Sequence, residues 1–340
     1  MIKIDGSQGE GGGQILRSSL SLAMVTGQAV EIKNIRDNRS KPGVLRQHLT
    51  AIKAAAEVCS AEVEGAEMGA RTLVFKPGWI KGGDYHFSVG TAGSSTLVFQ
   101  TVLPALMLSN RPSSVIVEGG THNKCAPPFE YLRDAFAPQL HRMGVGISLK
   151  LHRSGYYPAG GGKFVAEIAP VEELSAIFLE ERGAKLPPKA TAVLANIPEI
   201  VAERELKALE HDLKWDDLES ASQYVKYAQG AGNILLLHLG YQHVCEVISE
   251  VGERGVRSEL VARSVANQAW QYLATNAPVG EHLADQLLLP MAICGQGAFI
   301  TGPLTLHTRT NIAVIEAFYG ACITTEEIGG DMNRIEIKRK

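Results

Sequence analysis

The sequence predicts an α/β (α+β) fold in which three βαβαββ repeats form a large domain and a small α/β domain is inserted in the third repeat. Two observations predict this class. Segments with strand and helix periodicity follow one another in one order near the N-terminus, and the same order returns about eighty residues later. A third series of the same kind begins, breaks off, and resumes about a hundred residues further on.

The first two predicted repeats each have the order strand, helix, strand, helix, strand, strand. In the first repeat, these elements are predicted at residues 2–5, 12–26, 29–35, 42–58, 61–64 and 71–76. In the second repeat, they are predicted at residues 84–90, 93–108, 113–119, 127–144, 147–152 and 163–170. Alternating apolar residues predict the strands, and an apolar period of about 3.6 residues predicts the helices.

The third repeat is predicted to be split by an insert. Its own elements are predicted at residues 173–180, 281–293, 297–302, 309–320 and, as two closing strands, 322–338. The insert has predicted strands and helices at residues 190–196, 199–211, 233–239, 243–249 and 256–275. Proline pairs and Asn-Ala-Pro segments are typical of linkers, and such residues lie at 187–188 and 276–278. We therefore predict a large domain of residues 1–183 and 279–340 and an inserted domain of residues 184–278.

The composition indicates an ordered globular protein. The chain has 340 residues, 45% apolar and 20% charged, and its net charge is −3, so any site for a polyanion must be local. No secretory signal precedes the first strand, and no apolar run approaches the roughly 20 residues of a membrane-spanning helix, so we expect a cytoplasmic protein with no membrane partner. Five single cysteines without CxxC spacing argue against a disulfide framework and a structural zinc site.

A single carboxylate, Glu10, lies in the glycine-rich segment between Gly9 and Gly13, directly before the first helix. Arg17 lies on the polar face of that helix. A glycine-rich helix start favours a bound anion, which Glu10 would repel unless a divalent metal joined the two. One hypothesis is therefore a metal-binding carboxylate beside a phosphate site. The alternative is a solvated turn or capping residue.

The segment IRDNRSKPGVLRQHL, residues 35–49, concentrates cationic side chains. Arg36 and Arg39 precede a predicted helix, and Arg46 and Gln47 follow one turn into it. Guanidinium groups match phosphate oxygens in a bidentate manner, so this segment is a candidate phosphate clamp. Solvated surface charge is the alternative.

Two further loops precede predicted helices. GTAGSSTLVFQ, residues 90–100, lacks the glycine and lysine spacing of a P-loop and indicates little by itself. LTLHTRTNIAV, residues 304–314, places His307 between a strand and a helix predicted from near Thr310. A lone histidine is usually structural, so only its surroundings can make His307 a candidate for chemistry.

Six segments, in the same order and at consistent spacing, resemble the RNA 3'-terminal-phosphate cyclase family. They are GEGGGQILR, RSKPGVLRQHL, GTAGSSTLVFQ, GYYPAGGG, HLADQLLLP and LTLHTRTNI. GYYPAGGG, residues 155–162, is the most specific of them, and the resemblance covers nearly the whole chain.

The resemblance implies the repeated fold predicted above and an ATP-dependent conversion of RNA 3'-terminal phosphates to 2',3'-cyclic phosphates. In that reaction a histidine attacks ATP, AMP passes to the RNA 3'-phosphate, and the 2'-hydroxyl displaces AMP, so that AMP and pyrophosphate are released. His307 matches the nucleophile. The expected partners are ATP and RNA 3'-phosphate ends, with Mg²⁺ or Mn²⁺ as the metal. A homodimer is left open.

Matched position by position, Glu10 resembles the metal-side carboxylate. The predicted phosphate-binding set is Arg17, Arg36, Arg39 and Gln47. The residues that match the family's ATP contacts are Gln100, His282, Leu283, Ala284, Asp285 and Gln286. His282 departs from the tyrosine that bacterial relatives often have there, which puts the affinity for ATP in question because an imidazole stacks with less area.

Two alternatives stay open at this point. One is a catalytically silent relative that acts in RNA processing, although such relatives lack the histidine. The other is a transferase for a small phosphorylated substrate, because enolpyruvyl transferases share the repeated βαβαββ plan. Those transferases lack the pairing of His307 with an HLADQ segment.

Overall fold

The computed structural model describes residues 1–339, and its first repeat has the predicted order. The elements are β1 (Ile2–Asp5), α1 (Gly13–Thr26), β2 (Val30–Lys33), α2 (Arg46–Cys59), β3 (Glu62–Glu64) and β4 (Leu73–Lys76). The strand order is β1-β2-β4-β3, with β1 and β2 parallel and the other neighbours antiparallel. Val30 and Ile32 are fully buried on one face of β2, because alternate side chains of a strand share a face.

The second repeat has the same topology. Its elements are β5 (Asp84–Ser88), α3 (Ser95–Met107), β6 (Ser113–Gly119), α4 (Phe129–Tyr131), α5 (Ala137–Arg142), β7 (Gly146–Arg153) and β8 (Gly162–Ala169). A π-helical turn, Leu132–Phe136, joins α4 to α5, so the chain stays helical from Phe129 to Arg142. The strand order is β5-β6-β8-β7, again with the first two strands parallel.

The third repeat begins with the short strand β9 (Phe178–Leu179), and the insert follows it. The insert contains β10 (Lys189–Ala195), α6 (Ile200–Leu213), β11 (Glu219–Tyr224), β12 (Gly232–Gly240), β13 (Cys245–Val251) and α7 (Ser258–Leu273). Its four strands form a separate sheet of order β11-β10-β12-β13. The sequence did not predict β11, because all six of its residues are exposed and the strand has no apolar alternation.

The third repeat then resumes. Its remaining elements are α8 (Glu281–Cys294), β14 (Gln296–Thr301), α9 (Leu306–Tyr319), β15 (Ile323–Gly329) and β16 (Met332–Lys338). The strand order β9-β14-β16-β15 matches the order in the other two repeats. The predicted fold class, three βαβαββ repeats with an α/β insert in the third, is therefore confirmed.

Two predicted helix starts were wrong. α2 begins four residues later than predicted, because Arg36 Nη1 donates to the carbonyls of Lys41 at 2.7 Å and Gly43 at 2.9 Å and holds that segment as a loop. α9 begins earlier than predicted, because the Thr305 hydroxyl accepts the Thr308 N–H at 3.1 Å and caps the helix. His307 therefore lies in the first turn of α9 and not in the loop before it.

The inserted sheet buries both faces of β10, β12 and β13. One face, which includes Val193 and Leu236, joins the main apolar core, and the other, which includes Leu194 and Leu235, packs with α6 and α7. The exact boundaries of the two predicted domains stay a prediction. Within residues 1–339, no helix combines the length and the apolar character that crossing a membrane requires.

Candidate active site

The candidate site lies where the first and third repeats meet. α1 packs against α9, and α9 packs against α8. The glycine-rich loop before α1 consequently lies against the start of α9, and the Glu10 N–H donates to Thr310 Oγ1 at 3.0 Å. Left-handed φ angles of 53° at Gly9 and 59° at Gly11 allow this tight loop. The loop thus brings Glu10 next to His307.

The His307 ring is held by Gln14 of α1. His307 Nδ1 lies 2.9 Å from Gln14 Oε1, and Gln14 Nε2 donates to Asp285 Oδ1 at 2.5 Å. Burial raises the pKa of Asp285, while the nearby His307, Gln14 and Arg17 oppose that shift. The second ring nitrogen, Nε2, lies 4.0 Å from Glu10 Oε1. The His307 side chain is 56% exposed. One nitrogen is therefore bonded to the protein, and the other faces the opening of the site.

The Glu10 carboxylate is buried and incompletely paired. Its Oε1 contacts the Arg39 guanidinium, and its Oε2 is buried without a hydrogen-bond partner in the described part of the chain, residues 1–339. Burying a carboxylate oxygen without a partner is costly. No group of three His, Cys, Asp or Glu side chains in those same residues could hold a metal. Within residues 1–339, a cation at Glu10 would therefore have fewer than three His, Cys, Asp or Glu ligands from the protein.

Beside Glu10 lies a cationic pocket, which we define as Arg17, Arg36 and His48. Burial lowers the pKa of Arg17 to about 10, although Asp285 favours its charged form. Burial also lowers the pKa of His48, to about 3, and the two arginines contribute to that shift. At neutral pH the pocket thus contains two guanidinium charges and a neutral imidazole.

The N-terminus of α1 opens next to this pocket. Gly12 is its N-cap residue and supplies no side chain to cap the first N–H groups. A Cβ atom on Gly13 would contact the His48 ring and lie 2.8 Å from Arg17 Nη1, so only glycine leaves this space free. An uncapped helix start beside arginines is a favourable place for an anion.

The two predicted phosphate-binding arginines of the loop differ in their surroundings. Arg36 uses its Nη1 to hold the loop carbonyls, and burial lowers its pKa. The Arg39 side chain is 45% exposed and is paired with Glu10. The structure thus brings Arg39 close to Glu10 and His307, whereas Arg36 supports the loop and adds charge near Arg17.

Predicted glutamines connect the second repeat to this site. Gln47 Oε1 accepts the Ser94 N–H at 3.0 Å, which ties α2 to the start of α3. Gln100 Nε2 donates to Gln286 Oε1 at 2.6 Å. With Asp285, these last two residues line a cavity of about 100 Å³ between α1, α3 and α8.

The remaining predicted nucleotide contacts on α8 point in different directions. The His282 side chain is 67% exposed at the start of the helix. Leu283 and Ala284 are fully buried in the core. The side chains of Leu283 and Ala284 are therefore not brought to the site, in contrast to those of Asp285 and Gln286.

Sequence reasoning missed several residues that build the site. Asn311 accepts from Ser18 Oγ at 2.8 Å and donates to the Asp285 carbonyl at 2.8 Å, which locks α9 to α1 and α8. Gln14 and Ser18 lie on the polar face of α1, and that pattern could have identified both. Nothing in the sequence indicated that His48 is 97% buried.

Comparison with known proteins identifies the family. The family model of RNA 3'-terminal phosphate cyclase matches residues 8–325. A protein of that name from Koribacter versatilis is 52% identical over 318 residues, covering 94% of this chain and 90% of the relative. Another from Ralstonia nicotianae is 51% identical over 326 residues, covering 96% and 93%. A third, from Ectopseudomonas mendocina, is 46% identical over 338 residues, covering 99% and 98%. The chain belongs to the RNA 3'-terminal phosphate cyclase family.

Proposed function

We propose that this protein converts RNA 3'-terminal phosphates to 2',3'-cyclic phosphates at the expense of ATP, through a covalent adenylate on His307. The observation that carries the proposal is the position of His307. Its ring is held at Nδ1, is open at Nε2, and lies beside Glu10 and Arg39. Family membership supports the overall reaction, and these contacts support the assignment of the nucleophile.

In the first step, the free ring nitrogen of His307 attacks the α-phosphorus of ATP. A phosphorus–nitrogen bond forms, the bond between the α-phosphorus and its bridging oxygen breaks, and pyrophosphate leaves. We assign phosphate oxygens of ATP to Arg17 and the start of α1, because the half-buried guanidinium lies beside Gly13, where the first N–H groups of the helix are uncapped.

In the second step, an oxygen of the RNA 3'-phosphate attacks the adenylate and His307 leaves. This makes an anhydride between the RNA phosphate and AMP. A phosphate monoester is a poor electrophile, and the anhydride provides AMP as a good leaving group. We assign Arg39 to the incoming RNA phosphate, because it is exposed and adjoins His307 through Glu10.

In the third step, the vicinal 2'-hydroxyl attacks the 3'-phosphorus, AMP leaves, and the hydroxyl proton is released to solvent. The two groups belong to the same ribose, and effective molarities for such intramolecular attack reach about 10⁵ M or more. The protein therefore needs mainly to hold the RNA end in place.

The residues at Glu10 fit a divalent cation, Mg²⁺ or Mn²⁺. Its Oε2 is buried and unpartnered within residues 1–339, and carboxylate with phosphate oxygens is a ligand set that these cations favour. When bound, such a cation neutralises charge on the phosphates. Glu10 would hold it, and the Arg39 guanidinium would move from Glu10 to the RNA phosphate.

The nucleotide base and ribose are assigned to the region of Gln100, Gln286 and His282. The hydrogen bond from Gln100 to Gln286 would open to admit ATP, because both amides border the same cavity. His282 lies at the exposed end of α8, where its ring is free to stack.

The test is incubation with α-labelled ATP and a divalent metal, followed by denaturation and measurement of label on the protein. We expect acid-labile label on the wild type, none on His307→Ala, and normal labelling of His86→Ala, a control at an exposed histidine of β5. Label on the His307→Ala protein would refute the assignment of His307 as the nucleophile. No label on the wild type would favour a silent relative.

A further inference from the structure

The Gln14 side chain connects two groups that the proposed chemistry uses separately. Its amide nitrogen donates to Asp285 Oδ1 at 2.5 Å, and its amide oxygen lies 2.9 Å from His307 Nδ1. Gln14 is 93% buried, and Asp285 is partly buried in the second turn of α8. Because an ionised carboxylate only accepts hydrogen bonds, Asp285 fixes which end of the Gln14 amide faces it.

The orientation of the amide in turn fixes the tautomer of His307. The Gln14 oxygen is an acceptor, so the His307 nitrogen facing it must be the donor. A neutral imidazole has one N–H, and a proton on Nδ1 leaves the lone pair on Nε2. Nε2 is the ring atom that lies 4.0 Å from Glu10, on the open side of the site.

We propose that Gln14 is a positioning residue which, held by Asp285, keeps His307 in the Nδ1–H tautomer and so makes Nε2 the attacking atom. The inference rests on the proposed role of His307. It also gives Asp285 a role different from the ATP contact expected from the sequence, because its Oδ1 is already bonded to Gln14.

The groups around Asp285 favour an ionised carboxylate that accepts from Gln14. Burial raises the pKa of Asp285, whereas the N–H group of Gln14 and the Arg17 guanidinium oppose that shift and favour the ionised carboxylate. Asn311 Nδ2 donates to the Asp285 carbonyl at 2.8 Å and fixes the first turns of α8 and α9 relative to each other. If Asp285 were protonated and donated to Gln14, the amide would turn and its N–H group would face His307 Nδ1. The ring proton of His307 would then lie on Nε2, and Nε2 could not attack.

The tautomer is measured in the nucleotide-free protein by ¹⁵N NMR of histidine-labelled samples, with His307→Ala identifying the His307 resonance among the ten histidines. We expect the Nδ1–H form in the wild type and loss of that preference in Gln14→Met. The Gln14→Glu variant should retain it, because one of its oxygens still faces Nδ1 while it shares a proton with Asp285. An Nε2–H tautomer in the wild type would overturn the proposal, as would an unchanged tautomer in Gln14→Met.

Self-adenylylation rates complete the test. We expect about a 100-fold loss in Gln14→Met, a rate within about tenfold of the wild type in Gln14→Glu, and no loss in the matched control Gln28→Met, at an exposed residue two positions after α1 ends. Equal losses in both Gln14 variants with a preserved tautomer would mean a merely structural role. The NMR result does not depend on adenylylation, so failure of the proposed function and failure of this inference are distinguishable.

Discussion

The cationic pocket and the boundary of the inserted sheet both bury titratable groups, but burial shifts the pKa values of these groups in opposite directions. In the pocket, burial lowers the pKa of Arg17 to about 10 and that of His48 to about 3. In and beside the inserted sheet, burial raises the pKa of Glu205 to about 7 and that of Glu246 to about 8. The Glu246 carboxyl lies against Gly280 at the start of α8, and its Oε2 is buried without a hydrogen-bond partner within residues 1–339.

The difference indicates which region is built to bind a ligand. A buried carboxylate can become neutral by taking up a proton near physiological pH, so Glu205 and Glu246 need no partner from outside. Arginine keeps its proton at neutral pH even with a pKa of about 10, so the charge of Arg17 persists. A persistent buried charge is stabilised by a bound anion, which is the state in which this site would work.

The sharpest way to break the comparison is to remove the charge of Arg17. We expect Arg17→Met to lower self-adenylylation by about 10²- to 10³-fold, while the free energy of unfolding of the ligand-free protein is unchanged or higher. Arg182 provides the matched control. It donates to the carbonyls of Tyr272, Thr275 and Ala277, so Arg182→Met should lose stability instead. Strong destabilisation by Arg17→Met would contradict the account.

Within the site, Arg39 differs from Arg17 because its side chain is exposed, and this difference predicts effects on different steps of the reaction. We expect Arg39→Ala to slow transfer of AMP to an RNA 3'-phosphate about 100-fold and to slow self-adenylylation much less, because Arg39 is exposed where the RNA end would enter. Single-turnover rates of the two steps measure this. Arg71→Ala is the control, since Arg71 is an exposed arginine paired with Asp37 at 2.8 Å. Equal losses in the two steps would exclude a role specific to the RNA end.

Glu246 tests the other side of the comparison through stability. Its pKa is about 8 in the folded protein against 4.5 for an unperturbed glutamate, so between these pH values the folded state holds a proton that the unfolded state has lost. Stability therefore falls as pH rises through this range, by about 1.4 kcal/mol per pH unit from this group. We expect Glu246→Gln to remove that slope and to leave adenylylation nearly unchanged.

Denaturant unfolding at pH 5 and pH 8 measures this effect. Glu205 contributes a slope of the same sign to both proteins, so the difference between wild type and variant isolates Glu246. The exposed Glu326 of β15 supplies the control variant, Glu326→Gln, which should follow the wild type at both pH values. If the difference in unfolding free energy between the wild type and Glu246→Gln were the same at pH 5 and pH 8, the Glu246 carboxyl would not be the protonated group.

The sequence predicted the repeats well because apolar periodicity determines them. Val30 and Ile32 alternate with polar neighbours, and the same spacing recurs in the other repeats. β11 carries no such pattern, since its stability comes from backbone pairing with β10 at a sheet edge. The early start of α9 depends on the Thr305 cap, a local signal that the apolar period does not contain.

The site was predicted less completely, because its geometry depends on contacts between distant segments. Motifs identified Glu10, Arg39 and His307, which the structure brings together. The link from Gln14 to Asp285 joins residues 271 positions apart, and no local pattern specifies it. The burial of Leu283 and Ala284 likewise follows from how α8 packs in the third repeat.

The most direct test of the central claim is to locate the adenylate by mass spectrometry. The protein would be incubated with ATP and Mg²⁺ or Mn²⁺, digested at neutral or alkaline pH, and its peptides analysed by fragmentation that preserves phosphorus–nitrogen bonds. We predict an AMP adduct on the peptide that contains His307, lost when RNA with a 3'-phosphate is added before digestion. An adduct on another residue, or one on His307 that RNA ends do not remove, would contradict the account.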